Sequence, residues 1–125
     1  AQLDAIIEQQ IEAREDPDGA WRRYANTALA GAYQDLFARI DTLVLLAAPG
    51  FEVVAKWRFQ QEAELRERAG PDAPGLMDRA GIARFIEHYE RLTRHILTEM
   101  PHRADLVVRL DRERQVLAIS PGSAA

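Results

Sequence analysis

Arg58 stands in the string WRFQQE (57–62), where a guanidinium is followed at i+3 and i+4 by the Gln61 amide and the Glu62 carboxylate. An arginine brought over a transferring phosphate neutralises charge that spreads across the phosphoryl oxygens. The same spacing suits a helix-surface ion pair between Arg58 and Glu62, worth roughly 0.2–0.5 kcal/mol. On the residues alone both readings stand. Arg66 and Arg68 follow, just before a loop rich in Pro and Gly, where a closing segment reaches nucleotide phosphates and excludes water. A charged helix end complementing the helix dipole is the plainer alternative for them.

A second group lies near the start. Trp21, Arg22, Arg23, Tyr24 and Asn26 combine aromatic surface, two charged forks and an amide, the materials for recognising a small carboxylate-bearing molecule. Alternatively, Trp21 and Tyr24 anchor a helix in the core while the arginines snorkel outward. His88 and His95 share a helix face seven residues apart, but a helical metal pair asks for i, i+4 spacing or added carboxylates, so no metal site is expected. Ser120 and Ser123 sit in the tail, away from any His/Asp context, and nucleophilic catalysis has no support. No G-x-x-x-x-G-K-[ST] string occurs, and Lys56, the sole lysine, follows Ala55 inside a predicted helix.

Composition narrows the classes of partner. The net charge of −4 over 125 residues gives no global attraction for nucleic acid or an anionic membrane. The longest apolar run, Leu43 to Pro49, is far short of the roughly 20 residues that span a bilayer. The absence of cysteine removes disulfide frameworks and thiolate chemistry and fits a reducing cytoplasm. With 47% hydrophobic residues, the chain is long enough for one domain or part of one.

These groups must be positioned by alternating helices and strands. Leu3, Ile6, Ile7 and Ile11 form one stripe of a helix over 2–14. The Asp16-Pro17-Asp18-Gly19 turn opens a second helix toward Arg39, with Gly31 a weak point. The uninterrupted apolar run at 42–47 predicts a strand buried on both faces, followed by a helix over 51–68. Gly70, Pro71, Pro74 and Gly75 mark a mobile loop, a lid or hinge. A long helix then begins near Met77 or Asp78, carries Ile82, Phe85, Ile86, Tyr89, Leu92, Thr93, Ile96 and Leu97 at helical period, and stops at Pro101. DLVVRL (105–110) is a second strand, a turn over 111–115 follows, and VLAIS (116–120) is a short third strand. The tail from Pro121 to Ala125 is expected to be loose. Two strands separated by helices imply a right-handed parallel crossover and an α/β architecture.

In this order, DPDGAWRRYAN (16–26), LAGAYQDLFARIDTLVLLAAP (29–49), WRFQQEAELR (57–66), ARFIEHYERLTRHIL (83–97) and ADLVVRLD (104–111) resemble the latter half of bacterial D-glycerate 3-kinase-like proteins. These belong to the phosphoribulokinase and uridine kinase group of P-loop kinases. The likeness runs from Glu15 to Val116, and residues 1–14 match no pattern in it. It implies a helix-rich C-terminal part of a P-loop kinase fold with two or three strands, two of them parallel. It further implies transfer of the γ-phosphate of ATP, with Mg2+, to a hydroxyl of a small acid such as glycerate. Carried onto this chain, it makes Arg58 catalytic, Arg66 and Arg68 contacts for nucleotide or phosphate, and Arg22, Arg23, Tyr24, Asn26, Tyr89 and Arg91 contacts for substrate. Without the phosphate-cradling loop the chain is expected to be inactive alone and to bind neither ATP nor Mg2+ tightly. Its expected partner is the N-terminal kinase half or a second copy covering an exposed sheet. The competing expectation is a self-associating binding module that keeps the packing without the chemistry.

Overall fold

The computed structural model describes residues 10–71 and 73–123, which form two compact units divided between Leu43 and Val44. The predicted stripe residues Leu3, Ile6 and Ile7 lie outside the described residues.

The first unit is helical. Its elements are α1 (Gln10–Glu15), α2 (Ala20–Ala30) and α3 (Tyr33–Phe37). The continuous helix expected to reach Arg39 is interrupted at Gly31, whose N–H closes onto the Thr27 and Ala28 carbonyls at 3.0 and 3.2 Å. Gly31 therefore caps α2, and the chain restarts as α3 two residues later.

The second unit is mixed α/β. It contains β1 (Val44–Ala47), α4 (Glu52–Ala69), α5 (Arg79–Glu99), a single 3₁₀ turn (Met100–His102), β2 (Leu106–Leu110) and β3 (Val116–Pro121). The sheet order is β1-β2-β3, with β1 and β2 parallel and β2 and β3 antiparallel. The parallel pair is what the strand–helix–helix–strand order demands, because parallel neighbours need a long crossover. Asp78 starts α5 by accepting the Gly81 N–H at 2.7 Å, an N-cap that satisfies an otherwise orphaned helix donor.

Register assigns the two sheet faces. Leu45 lies opposite Val107, and both are buried; Val53 of α4, Ile82 of α5, Ala47 and Ala104 complete the buried apolar set of this unit. Val44 and Leu46 point to the other face, with Leu106 and Val108 as neighbours on β2 and Ile119 beyond them on β3. Leu46 is 65% exposed and Ile119 62%. The expectation that the first strand is buried on both faces is thus corrected: two-sided burial needs a covering layer on each side, and among the described residues Val44 and Leu46 have none.

Over residues 121–123 the tail is also more ordered than expected. Pro121 pairs with Leu106, and the Gly122 and Ser123 N–H groups donate to the Asp105 and Pro101 carbonyls at 3.3 and 3.1 Å. Between β2 and β3, Asp111 Oδ1 accepts the N–H groups of Glu113 and Gln115, both at 2.8 Å, which closes the predicted turn. No helix among the described residues is long and apolar enough to cross a membrane.

Candidate functional site

α4 carries an unusual burial pattern for a charged helix. Apart from Val53, its buried residue is Glu62, only 2% exposed. An ionised carboxylate taken out of water needs partners, and Glu62 has two. Its Oε1 accepts the Met77 N–H at 2.6 Å, and its Oε2 lies 3.1 Å from Arg58 Nη2. The second contact is an ion pair by distance without hydrogen-bond alignment, since Oε2 has no hydrogen-bond donor.

Arg58 is held on three sides. Its Nη1 donates to Gln61 Oε1 at 2.5 Å, Glu62 faces Nη2, and the guanidinium carbon stands 5.2 Å from the Phe85 ring centroid. That last distance is within cation–π range. Phe85 in turn packs against Tyr89 with ring centroids 5.0 Å apart. The Arg58–Glu62 pair anticipated from the i, i+4 spacing therefore exists, with the carboxylate buried rather than on the surface.

Arg66 and Arg68 are exposed. Arg66 Nη2 donates to the Met77 carbonyl at 3.4 Å, so α4 grips both peptide groups of Met77, while Arg68 Nε donates back to the Glu64 carbonyl at 3.3 Å. The structure thus brings Arg58, Arg66 and, through Phe85, Tyr89 into one neighbourhood. Arg91 is half-buried on α5. His88 is exposed, its Nδ1 2.9 Å from the Arg84 carbonyl, and it does not enter this cluster.

Arg22, Arg23, Tyr24 and Asn26 belong to the first unit, on α2. Asp16 organises the start of that helix: Oδ1 accepts the Trp21 N–H at 3.0 Å, and Oδ2 accepts the Arg22 N–H and Nε, each at 3.1 Å. Burial opposes the charge on Asp16, but the backbone donors of Trp21 and Arg22 and the Arg22 guanidinium outweigh it and hold its pKa below the ordinary value. Arg23 Nη1 donates to the Asp18 carbonyl at 2.5 Å. Pro17, Asp18, Gly19, Arg22 and Arg23 line an open concavity of about 300 Å³. Gly19 has φ +65°, and a Cβ there would stand 3.3 Å from both Arg22 Nη2 and Arg23 Nη1. Trp21 and Tyr24, each 73% exposed, do not anchor α2 in a core.

Arginine forks suit phosphate and carboxylate oxygens. A magnesium ion held with nucleotide phosphates asks for one or two free carboxylates; the one beside Arg58 is occupied by Met77 and Arg58, so this cluster does not fit the ion. Among the described residues no group of three or more His, Asp or Glu is placed to hold a metal. The importance of Glu62 beyond ion pairing and the ring of Phe85 beneath Arg58 were not read from the sequence, whereas the helix-opening turn at Asp16 was. A carboxylate one turn after an arginine, on a helix leading into a Pro/Gly loop, was the available signal for the first.

No protein-family model matches the chain, and no solved structure matches it. A Schizosaccharomyces pombe protein named "Uncharacterized kinase mug58" is 38% identical over 66 residues, which cover 53% of this chain and 22% of that protein. The chain thus matches about a fifth of that relative's length, and what the likeness supports is a relationship to a kinase.

Proposed function

We propose that this chain supplies the arginine-bearing part of an ATP-dependent small-molecule kinase that phosphorylates a hydroxyl of a small acid such as glycerate. The observation that carries the reading is Arg58: a guanidinium held among Gln61, Glu62 and Phe85, with side-chain exposure of only 21%. A cation fixed in a partly dry setting stabilises charge developing on a transferring phosphoryl group far better than a mobile surface cation does. Arg66 and Arg68 extend the positive charge along the exposed end of α4, where nucleotide phosphates would meet it. Tyr89 and Arg91 are the groups of the second unit assigned to the acid substrate, and Arg22, Arg23, Tyr24 and Asn26 are those of the first unit, each unit taken by itself. ATP supplies the phosphoryl group when bound.

The phosphate-cradling loop that such an enzyme needs does not occur in these residues, so the reading requires it from chain outside them. The exposed apolar face carrying Val44, Leu46 and Ile119 is the surface on which such a core would pack, and among the described residues β1 pairs with β2 alone. The same face supports the second reading, association of two copies without catalysis.

The test joins the chain to the sequence encoded directly upstream in its gene and measures ATP-dependent phosphorylation of D-glycerate. Arg58→Ala is expected to lower kcat by about 10²–10³-fold while the protein stays folded. A folded protein that turns over neither D-glycerate nor related hydroxy acids, or whose rate is indifferent to Arg58→Ala, rejects the reading. A tight dimer of the 125-residue chain with no activity in the joined protein favours the second.

A further inference from the structure

We propose that Glu62 is the positioning residue of the Arg58 site, orienting the guanidinium from a carboxylate that is itself locked by the backbone of Met77. This rests on the reading of Arg58 as a phosphate contact. A solvent-exposed i, i+4 partner would hold Arg58 loosely. Glu62 differs because it is 2% exposed and its other oxygen takes the Met77 N–H at 2.6 Å, fifteen residues along the chain. Its rotamer is therefore set by tertiary structure, not by α4 alone.

The fixed carboxylate leaves Arg58 one direction in which to act. Glu62 faces Nη2, Gln61 takes Nη1, and Phe85 covers the plane of the guanidinium. Nε is buried and has no hydrogen-bond acceptor. It is therefore closed to a ligand, and an anionic oxygen would meet Arg58 through the Nη1 and Nη2 N–H groups not taken by Gln61 or turned to Glu62. Glu62 supplies no atom to the reaction; it sets where the arginine points. Arg66 reinforces the anchor by donating to the Met77 carbonyl, which fixes the peptide that follows the one whose N–H holds Glu62.

Nuclear magnetic resonance of the 125-residue chain tests this through the Arg58 Nε–H and Met77 N–H signals. Glu62→Gln keeps an oxygen for Met77 and removes the charge that holds Arg58. Without ligand, it is expected to speed exchange of the Arg58 Nε–H about tenfold, with α5 amides unchanged. A folded Glu62→Gln chain whose Arg58 Nε–H exchanges within twofold of wild type overturns the proposal. Should that variant not fold, Arg58→Lys serves. It keeps the charge but not the fork, and is expected to speed Met77 N–H exchange several-fold; unchanged exchange again overturns it. Sodium pyrophosphate is then titrated into the wild type, where both signals are expected to move with one midpoint. Movement of Arg58 without Met77 overturns the coupling. Movement of neither rejects phosphate binding by Arg58, and the ligand-free arm still decides the positioning role.

Discussion

Trp57 Nε1–H donates to the Arg112 carbonyl at 2.8 Å, joining α4 to the turn between β2 and β3 across fifty-five residues. Lys56 pairs with Glu113, and Arg112 Nη2 lies 3.5 Å from Glu52 Oε1. All four residues from Arg112 to Gln115 are tied to α4 or to Asp111, the left-handed Arg114 (φ 64°) through its N–H to the Asp111 carbonyl at 3.1 Å. The indole bond is the most directional of these ties, and Trp57 is adjacent to Arg58, so the turn helps set the rotation of the helix that presents the arginine.

Trp57→Phe preserves an aromatic ring and deletes that donor. The expected loss is about 1 kcal/mol, or a fall of about 4–8 °C in the melting temperature of a unit this size. Glu113→Gln, which weakens only an exposed ion pair, should change stability by less than about 0.5 kcal/mol. Thermal unfolding of the two variants side by side decides it: equal melting temperatures would show that the indole bond does not hold the turn.

Gly122 is where the C-terminal segment comes closest to the rest of its unit. A Cβ there would stand 1.8 Å from the Ala104 carbonyl oxygen and 3.1 Å from that of Pro101, and both are backbone atoms that cannot rotate away. Gly122→Ala is therefore expected to cost about 1–3 kcal/mol and to free the Ser123 N–H from Pro101. Hydrogen exchange at Ser123 reports the second effect directly. Wild-type stability together with unchanged Ser123 exchange would refute the close approach.

The elements of the second unit were legible because each is carried by a local signal. The apolar run at 42–47, the helical period of Ile82, Phe85 and Ile86, and the Asp111 turn all act within a few residues. Sidedness was not legible in the same way. Whether Leu46 is covered depends on which layers exist around the sheet, and a run of Val and Leu looks the same with one cover or two. The Arg58–Glu62 pair was readable as a spacing, whereas the burial of Glu62 was not, because it depends on Met77 returning to α4 after a loop. Gly122 was invisible for a related reason: its requirement comes from Ala104, eighteen residues away, and nothing in the tail itself announces it.

Asp16 makes the start of α2 sensitive to acid. Its carboxylate takes the Trp21 and Arg22 N–H groups and the Arg22 Nε, and these donors lower its pKa in the folded chain despite the opposing effect of burial. A carboxyl whose folded pKa is depressed stabilises the fold above its unfolded pKa, and the contribution is lost as pH falls through the folded value. The vulnerable window therefore opens below the ordinary aspartate value of about 3.9. Acidification through that window is expected to release the Trp21 and Arg22 amides, with their proton exchange rising as the Asp16 carboxyl carbon titrates, at a midpoint below that of a model peptide. Asp16→Asn should abolish this pH dependence and also loosen Arg22, because the neutral amide no longer holds the guanidinium beside Gly19. A carboxyl titration at or above the peptide value, or amides that stay protected after it protonates, would show that Asp16 does not hold this helix end.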